Sequence, residues 1–173
     1  INVVRNDLGE LVIENDKLRS TAIIVKKDSI TGEVVKGATI GLFDERGNEI
    51  EVLTGTDGRV TFNNLIAGKT YQYKEITAPV GYKLNETTYS FTVTDNGTIV
   101  FADDTDGVIY DEPLRMGVPI YKIDVLTKEL LNGAKIELYD ADGNAIEAKD
   151  TEDGVAIFDD IIVGRIYKYK EIV

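Results

Sequence analysis

Cysteine and histidine are both absent from the 173 residues of this chain. The chain therefore has no disulfide, no thiolate nucleophile, no imidazole base and none of the usual zinc ligands. A catalytic triad built on histidine is excluded, and so are the disulfides that often toughen secreted proteins. We expect neither a metal site nor a cofactor.

Long apolar runs and excess positive charge are also absent. No apolar stretch approaches the ~20 residues of a transmembrane helix, so we expect no membrane insertion in this segment. Acidic residues outnumber basic ones, 31 to 19, and the formal net charge is −12. Such a charge repels phosphate backbones, which argues against nucleic acid or an anionic membrane surface as a partner.

A repeat with a fixed period is the main feature that is present. KGATIGLFDERGNEIE, which starts at Lys36, aligns with NGAKIELYDADGNAIE, which starts at Asn132, at an offset of 96 residues. The alignment runs without a gap from residues 26–75 onto residues 122–171, and about 22 of these 50 pairs are identical. VIENDKLR (12–19) matches VIYDEPLR (108–115) at the same offset. Self-similarity of this kind indicates a tandem architecture.

The repeat predicts three segments. Residues 1–19 are the terminal strands of a preceding or complementing repeat, 20–115 form a complete domain, and 116–173 form an incomplete domain that lacks its last strands. The complete repeat holds seven short runs rich in Val, Ile, Thr, Tyr and Phe, separated by turn signals such as TDG and DNG. They are TAIIVKK, ATIGLFD, RVTFNNL, TYQYKEI, TYSFTVTD, TIVFA and GVIYDE. The predicted fold is all-β, with tandem Greek-key, antiparallel β-sandwich domains of the Ig-like or prealbumin-like kind.

Polar residues interrupt the inward faces of three predicted strands. Side chains alternate along a strand, so Glu75 shares a face with Tyr71 and Tyr73, and Glu171 is its counterpart in YKYKEI. Lys26 shares a face with Ala22 and Ile24, and its counterpart is Lys122. Asp111 shares a face with Ile109, and its counterpart is Asn15.

Two interpretations of these residues stay open at the level of pattern. A single Lys or Glu in a strand most often lies at a rim, with its charge solvated and its stem packed. The joint recurrence of Lys, Glu and Asp or Asn at one period favours a buried cluster. A repeat also carries surface residues over, so recurrence alone does not decide between them.

The chain resembles a known family at these positions. KKDSITGEVVKGATIGLFDERG is similar to the opening of collagen-adhesin B-type (CnaB, prealbumin-like) domains of Gram-positive pilins and surface adhesins, KEITAPVGYKL to their glutamate strand, and VIYDEP to their final strand. The resemblance implies an isopeptide bond between Lys26 as amine and Asp111 as acceptor, assisted by Glu75 as acid. The family more often carries Asn as acceptor, so Asp111 would lose water instead of ammonia. It also implies an extracellular, cell-wall anchored or pilus location.

The chemistry requires burial. An exposed lysine is almost fully protonated at neutral pH, whereas an amine attacks a carbonyl only when neutral. Apolar surroundings favour the neutral forms of amine and carboxyl alike, and a protonated Glu75 can polarise the acceptor and carry the proton to the leaving group. Because the reaction happens once and releases no product molecule from a substrate, we predict no enzyme, only autocatalytic cross-linking.

The incomplete repeat admits two explanations. In the first, the segments are a fragment of a longer array. In the second, the strands complement one another, with Asn15 beside Lys122 and Glu171 of the next molecule or of its own chain. The expected partners are therefore neighbouring repeats or copies of this chain.

A second functional hypothesis is a ligand-binding adhesin domain that recognises host matrix proteins. It would need an exposed apolar patch or a long loop, for which residues 102–107 are the best candidate.

Two acidic stretches are weak cation-site signals. DADGN with Glu147 has neither the glycine nor the glutamate spacing of a calcium loop, so we predict a hairpin turn, and residues 102–107 are better explained as a solvated loop.

Overall fold

The computed structural model describes residues 2–14, 16–103 and 106–172 of the chain. The chain divides into two compact units, Ile1–Glu112 (unit 1) and Pro113–Val173 (unit 2). Every strand or helix assigned in the described residues is a β-strand, so the all-β prediction is confirmed. No helix capable of spanning a membrane occurs in them. The repeat limits 1–19, 20–115 and 116–173 remain a prediction about sequence organisation.

The described residues of unit 1 form ten strands. They are β1 (Asn2–Arg5), β2 (Leu11–Glu14), β3 (Arg19–Asp28), β4 (Thr39–Asp44), β5 (Glu49–Thr54), β6 (Arg59–Ile66), β7 (Lys69–Thr77), β8 (Thr88–Val93), β9 (Ile99–Phe101) and β10 (Val108–Asp111). β1 and β2 pair with each other as an antiparallel hairpin. The remaining strands form a three-stranded sheet in the order β10-β3-β6 and a five-stranded sheet in the order β5-β4-β7-β8-β9.

One strand pair departs from the predicted antiparallel arrangement. β10 runs parallel to β3, with Ile109 opposite Lys26 and Asp111 opposite Asp28. β9 belongs to the five-stranded sheet, so the chain changes sheets before β10 instead of returning by a tight hairpin. Parallel neighbours require such a crossover. The first and last strands of the repeat, β3 and β10, thereby lie side by side.

β5 was not among the strands expected from the sequence. It is an edge strand that pairs with β4 alone among the described residues, and Ile50 and Val52 are exposed on it. In its segment EIEVLT, Ile50 and Val52 alternate with glutamates but lie on an exposed side, and only Leu53, on the other side, packs partly against the core.

The core of unit 1 lies between the two sheets. Alternate residues of β3, β6 and β10 face alternate residues of β4, β7 and β8 across it. Aromatic rings fill its centre: Tyr71 stacks on Phe91 with ring centroids 5.5 Å apart, and Tyr73 stacks on Tyr89 at 5.4 Å. Stacked pairs of this kind add to the stability that burial of their area provides.

Unit 2 repeats the first half of this architecture. Its strands are β11 (Arg115–Tyr121), β12 (Lys135–Tyr139), β13 (Ala145–Asp150), β14 (Val155–Ile162) and β15 (Lys168–Glu171). β11 pairs with β14, and β12 lies between β13 and β15. Its smaller buried core consists of Ile136, Leu138, Ala156 and Phe158.

The two units differ where the last strands of the repeat would lie. At the 96-residue offset the counterparts of β8, β9 and β10 would fall beyond residue 173. Tyr169, the counterpart of fully buried Tyr73, is 62% exposed. A groove of about 720 Å³ opens in unit 2 beside Phe158, Ile166 and Tyr167. Tyr71, the counterpart of Tyr167, is buried under Phe91 of β8.

Candidate functional site: a buried lysine between two carboxyl groups

Lys26 lies inside the core of unit 1. β3 turns Ala22, Ile24 and Lys26 toward the opposite sheet, and each is at most 1% exposed. The predicted alternation is therefore what the structure shows. The ammonium group reaches the interior because the strand has no freedom to turn one residue outward without turning its apolar neighbours with it.

Glu75 comes from the facing sheet. It follows Tyr71 and Tyr73 on the inward side of β7, opposite Ile40 of β4, and is 3% exposed. Its Oε2 accepts a hydrogen bond of 2.8 Å from the backbone N–H of Asn85. The other oxygen, Oε1, lies 2.9 Å from Lys26 Nζ.

Asp111 completes the cluster from β10. It is fully buried, and its Oδ1 accepts a short hydrogen bond from Lys26 Nζ. The close approach of β10 to β3 depends on Gly107, whose carbonyl oxygen accepts the Val25 N–H at 2.9 Å. A Cβ at Gly107 would lie only 2.9 Å from the carbonyl oxygen of Ile23, and its φ of +79° also favours glycine.

The electrostatics of the cluster follow from its burial. Desolvation raises the pKa of Asp111 from 3.8 to about 6, although the hydrogen bond and charge of Lys26 act in the opposite direction. Glu75 adds to the rise because its own negative charge is close. Asp111 Oδ2 has no hydrogen-bond partner among the described residues. Two buried carboxylates therefore share one cation, and a net negative charge in a dry core is costly.

This arrangement can perform a condensation. An amine, an acceptor carboxyl and a proton carrier are held in contact where water is excluded. Such fixed proximity can replace a very high concentration of free reactant. Lys26, Glu75 and Asp111 were each singled out from the sequence, and the structure brings all three together.

The second copy of the cluster has a different environment. Lys122 Nζ lies 2.6 Å from Glu171 Oε2, so the amine and the acid of the repeat again meet. Their side chains are 33% and 43% exposed, in contrast to 1% and 0% for Lys26 and Glu75. Asn15, the predicted acceptor, lies outside the described residues.

Sequence reasoning missed three residues that surround the buried cluster: Asp28, Tyr82 and Asn85. Asp28 is 5% exposed on β3, two residues after Lys26, and its Oδ2 accepts a hydrogen bond of 2.9 Å from the hydroxyl of Tyr82. Asn85 donates to Glu75 through its backbone. Asp28 could have been found, because its counterpart Asp124 recurs in the repeat. A backbone donor such as that of Asn85 leaves no trace in the sequence.

The acidic turn weighed as a calcium loop is a hairpin turn between β12 and β13. Asp140 accepts hydrogen bonds from the backbone and side chain of Asn144, each 2.8 Å long, and these lower the pKa of Asp140. Residues 102–107 are only partly described. No cluster of three acidic residues that could hold a metal ion occurs in the described part of the chain.

Comparison with known proteins agrees with the fold. The trypsin-resistant surface T6 protein of Streptococcus pyogenes is 31% identical over 67 residues, which are 39% of this chain and 12% of that protein. The Bacillus anthracis TIE protein is 29% identical in a structural match that covers 90% of this chain and 29% of that one, with a TM-score of 0.61. A fragment of the major pilin GBS80 of Streptococcus agalactiae matches 53% of this chain and 43% of the fragment, with 22% identity and a TM-score of 0.41.

The chain thus spans only a minor part of the length of the T6 and TIE proteins. A family profile described as "SpaA: Prealbumin-like fold domain" matches residues 20–106 and 117–173, which are most of the chain and include parts of both units. The collagen-adhesin B-type resemblance found in the sequence is therefore confirmed, and the chain belongs to the SpaA prealbumin-like fold domain family.

Proposed function

We propose that this chain is a structural segment of an extracellular surface or pilus protein, and that unit 1 is locked by a self-formed isopeptide bond between Lys26 and Asp111. The observation that carries the proposal is the position of Lys26 Nζ, buried between the carboxyl groups of Glu75 and Asp111. A lysine at this position would not stabilise an ordinary core, since a buried ion cluster without a cross-link contributes little net stability.

The reaction needs no external reagent. Neutral Lys26 attacks the carboxyl carbon of protonated Asp111, and a C–N bond forms. Glu75, protonated on the oxygen that faces Lys26, donates its proton to the departing hydroxyl and receives one from the nitrogen. The C–O bond breaks, one water leaves, and Glu75 ends in its starting state.

A mechanical role follows from the topology. Lys26 and Asp111 are separated by 85 residues but lie on adjacent parallel strands, the first and last of the repeat. Tension that enters unit 1 through β3 and leaves through β10 would cross the isopeptide bond, so the strands between would bear no load. This covalent tie would serve in place of the disulfides that the sequence lacks.

Intact mass tests the bond. We expect the purified chain to weigh one water less than the mass calculated for the uncross-linked chain. Lys26→Ala should have the full mass calculated for its sequence. Glu75→Gln should also retain the full mass, because the amide cannot supply the proton. A wild-type chain of full mass that is folded by circular dichroism would reject the proposal.

A second proposal concerns unit 2. Among the described residues β11 pairs with β14 alone, whereas its counterpart β3 pairs with both β6 and β10. β2 is the repeat counterpart of β10, so β2 of a second copy could add in parallel to the open edge of β11. Asn15 would then meet the half-exposed pair Lys122 and Glu171, and the linkage would release ammonia. Head-to-tail repetition would produce a filament.

Denaturing electrophoresis after boiling tests this assembly. We expect a ladder of multimers that disappears in Asn15→Ala and in Lys122→Ala but persists in Asp111→Ala, whose altered site lies in unit 1. A wild-type chain that runs only as monomer at high concentration would contradict covalent assembly and leave the unit 1 proposal untouched.

A further inference from the structure

The segment 78–87, between β7 and β8, lies against the buried cluster, and we refer to it as the strap. Tyr82 attaches it to β3 through the hydrogen bond to Asp28. Lys83 attaches it to the end of β10, since its backbone N–H donates to the carbonyl of Glu112 at 2.9 Å. The strap therefore bridges the two strands that carry the amine and the acceptor.

Asn85 connects the strap to the acid. Its backbone N–H donates to Glu75 Oε2, and its side-chain amide donates to the carbonyl of Tyr110 on β10 at 3.2 Å and to the hydroxyl of Tyr89 at 3.1 Å. Asn85 thus binds both the carboxyl group of Glu75 and β10, the strand that carries Asp111.

We propose that the strap is a positioning element for the isopeptide reaction, and that the Asn85 N–H directs the proton of Glu75 to Oε1. An oxygen that already accepts an N–H bond is the poorer site for a proton. In the proposed reaction the proton that Glu75 carries is therefore directed to Oε1, which is the oxygen 2.9 Å from Lys26. Without the N–H the carboxyl group could rotate or carry its proton on the oxygen that points away from the reacting atoms.

This inference rests on the proposed isopeptide bond, and a matched pair of variants tests it. Asn85→Pro removes the backbone donor, whereas Asn85→Ala keeps the donor and removes the side-chain contacts. Each chain is refolded from denaturant, and the loss of water is followed by mass spectrometry over time. We expect bond formation in Asn85→Pro to be about ten- to a hundredfold slower than in Asn85→Ala.

The pH profile separates positioning from a general loss of structure. The part of the rate profile that falls with rising pH follows the extra proton that the cluster holds. Only Asn85→Pro changes the hydrogen bonding of a carboxyl group in the cluster, so we expect this falling limb to lie at a different pH in Asn85→Pro than in Asn85→Ala. A purely structural defect would lower the rate at every pH without moving that limb.

Tyr82→Phe supplies an independent variant that keeps the ring, and it should slow the reaction because the strap loses its attachment to Asp28.

The outcomes are distinguishable. The strap's role would be overturned, while the bond itself still forms, by the following results. Asn85→Pro and Asn85→Ala would form the bond at equal rates with equal pH profiles, and Tyr82→Phe would form it at the wild-type rate. Should Asn85→Pro fail to fold, a wild-type rate in Tyr82→Phe overturns the proposal by itself, and a slowed rate supports it. A wild-type chain that never loses water overturns both the strap's role and the proposed function.

Discussion

A lysine in the centre of a β-sandwich core is the unusual residue of this chain. Burying an ammonium group costs several kcal/mol unless the group is paired and hydrogen-bonded. Lys26 is paired twice, yet Glu75 and Asp111 together carry one negative charge too many for neutrality. One added proton removes that excess. The reactive state, in which all three groups are neutral, also contains one more proton than the fully ionised state.

Bond formation should therefore be faster in mild acid. The pKa of Asp111 is raised to about 6, so the extra proton is held below that pH and lost above it. We expect the rate of water loss in freshly refolded chain to be highest near or below pH 6 and to fall about tenfold for each further pH unit. Mass spectrometry of samples quenched at intervals measures it. A rate that rises steadily from pH 6 to pH 9 would show that deprotonation of the amine is limiting instead.

At the scale of elements, the parallel pairing of β10 with β3 would let the proposed isopeptide bond act over the whole repeat. A cross-link stabilises mainly by restricting the unfolded chain, and the effect grows with the size of the closed loop. The separation of 85 residues between Lys26 and Asp111 predicts a stabilisation of about 4–5 kcal/mol. The equivalent edge of unit 2, along β11, has no such partner in the described residues.

Lys26→Ala and Lys122→Ala form a matched pair that tests this difference. Lys26→Ala removes the cross-link, so we expect the free energy of unfolding of unit 1 to fall by about 4–5 kcal/mol, with a drop of roughly 20–30 °C in its Tm. Both substitutions are compared in an Asn15→Ala background, which prevents the proposed linkage between copies. Lys122→Ala then removes only a half-exposed ion pair, which contributes little to stability. Differential scanning calorimetry measures both. Equal effects of the two substitutions would argue that Lys26 acts as an ordinary ion-pair partner.

At the scale of the whole molecule, the two units differ in how far the described strands enclose the shared repeat. Unit 1 has a continuous aromatic core, whereas in unit 2 the side chain of Tyr169 is 62% exposed. The proposed bond in unit 1 should make that unit resist tension in a way that can be measured.

Force spectroscopy on the chain held by its ends measures that response. If the bond is present, the residues between Lys26 and Asp111 stay folded or slack, and the fully stretched chain is shorter by about 300 Å than an unlinked chain. Glu75→Gln, which cannot form the bond, should recover that length. A wild-type chain that extends to its full contour would contradict the mechanical role.

The sequence by itself determined the repeat, the all-β class and the residues that point inward. Each of these depends on local spacing: a period of 96 residues, short β-rich runs between turns, and the two-residue alternation that aligns Lys26 with Ile24 and Glu75 with Tyr73. Alternation works as a signal because a strand buries one complete side or the other. β5 departs from this rule, since Ile50 and Val52 on its apolar side are exposed and only Leu53, on the other side, packs partly against the core.

The residue pattern alone left open what those inward residues meet. The family resemblance implied that Lys26, Glu75 and Asp111 come together, and the tertiary structure shows their contact. The parallel register that places Asp111 beside Lys26 joins strands 85 residues apart, and no local pattern encodes a pairing over that distance. The hydrogen bond from Asn85 to Glu75 uses a backbone N–H, which every residue except proline possesses. The sequence predicted that residues 116–173 lack the last strands of the repeat, but only the tertiary structure gives the exposure of each lysine. The same local sequence is enclosed in unit 1 by strands that the described part of unit 2 does not contain.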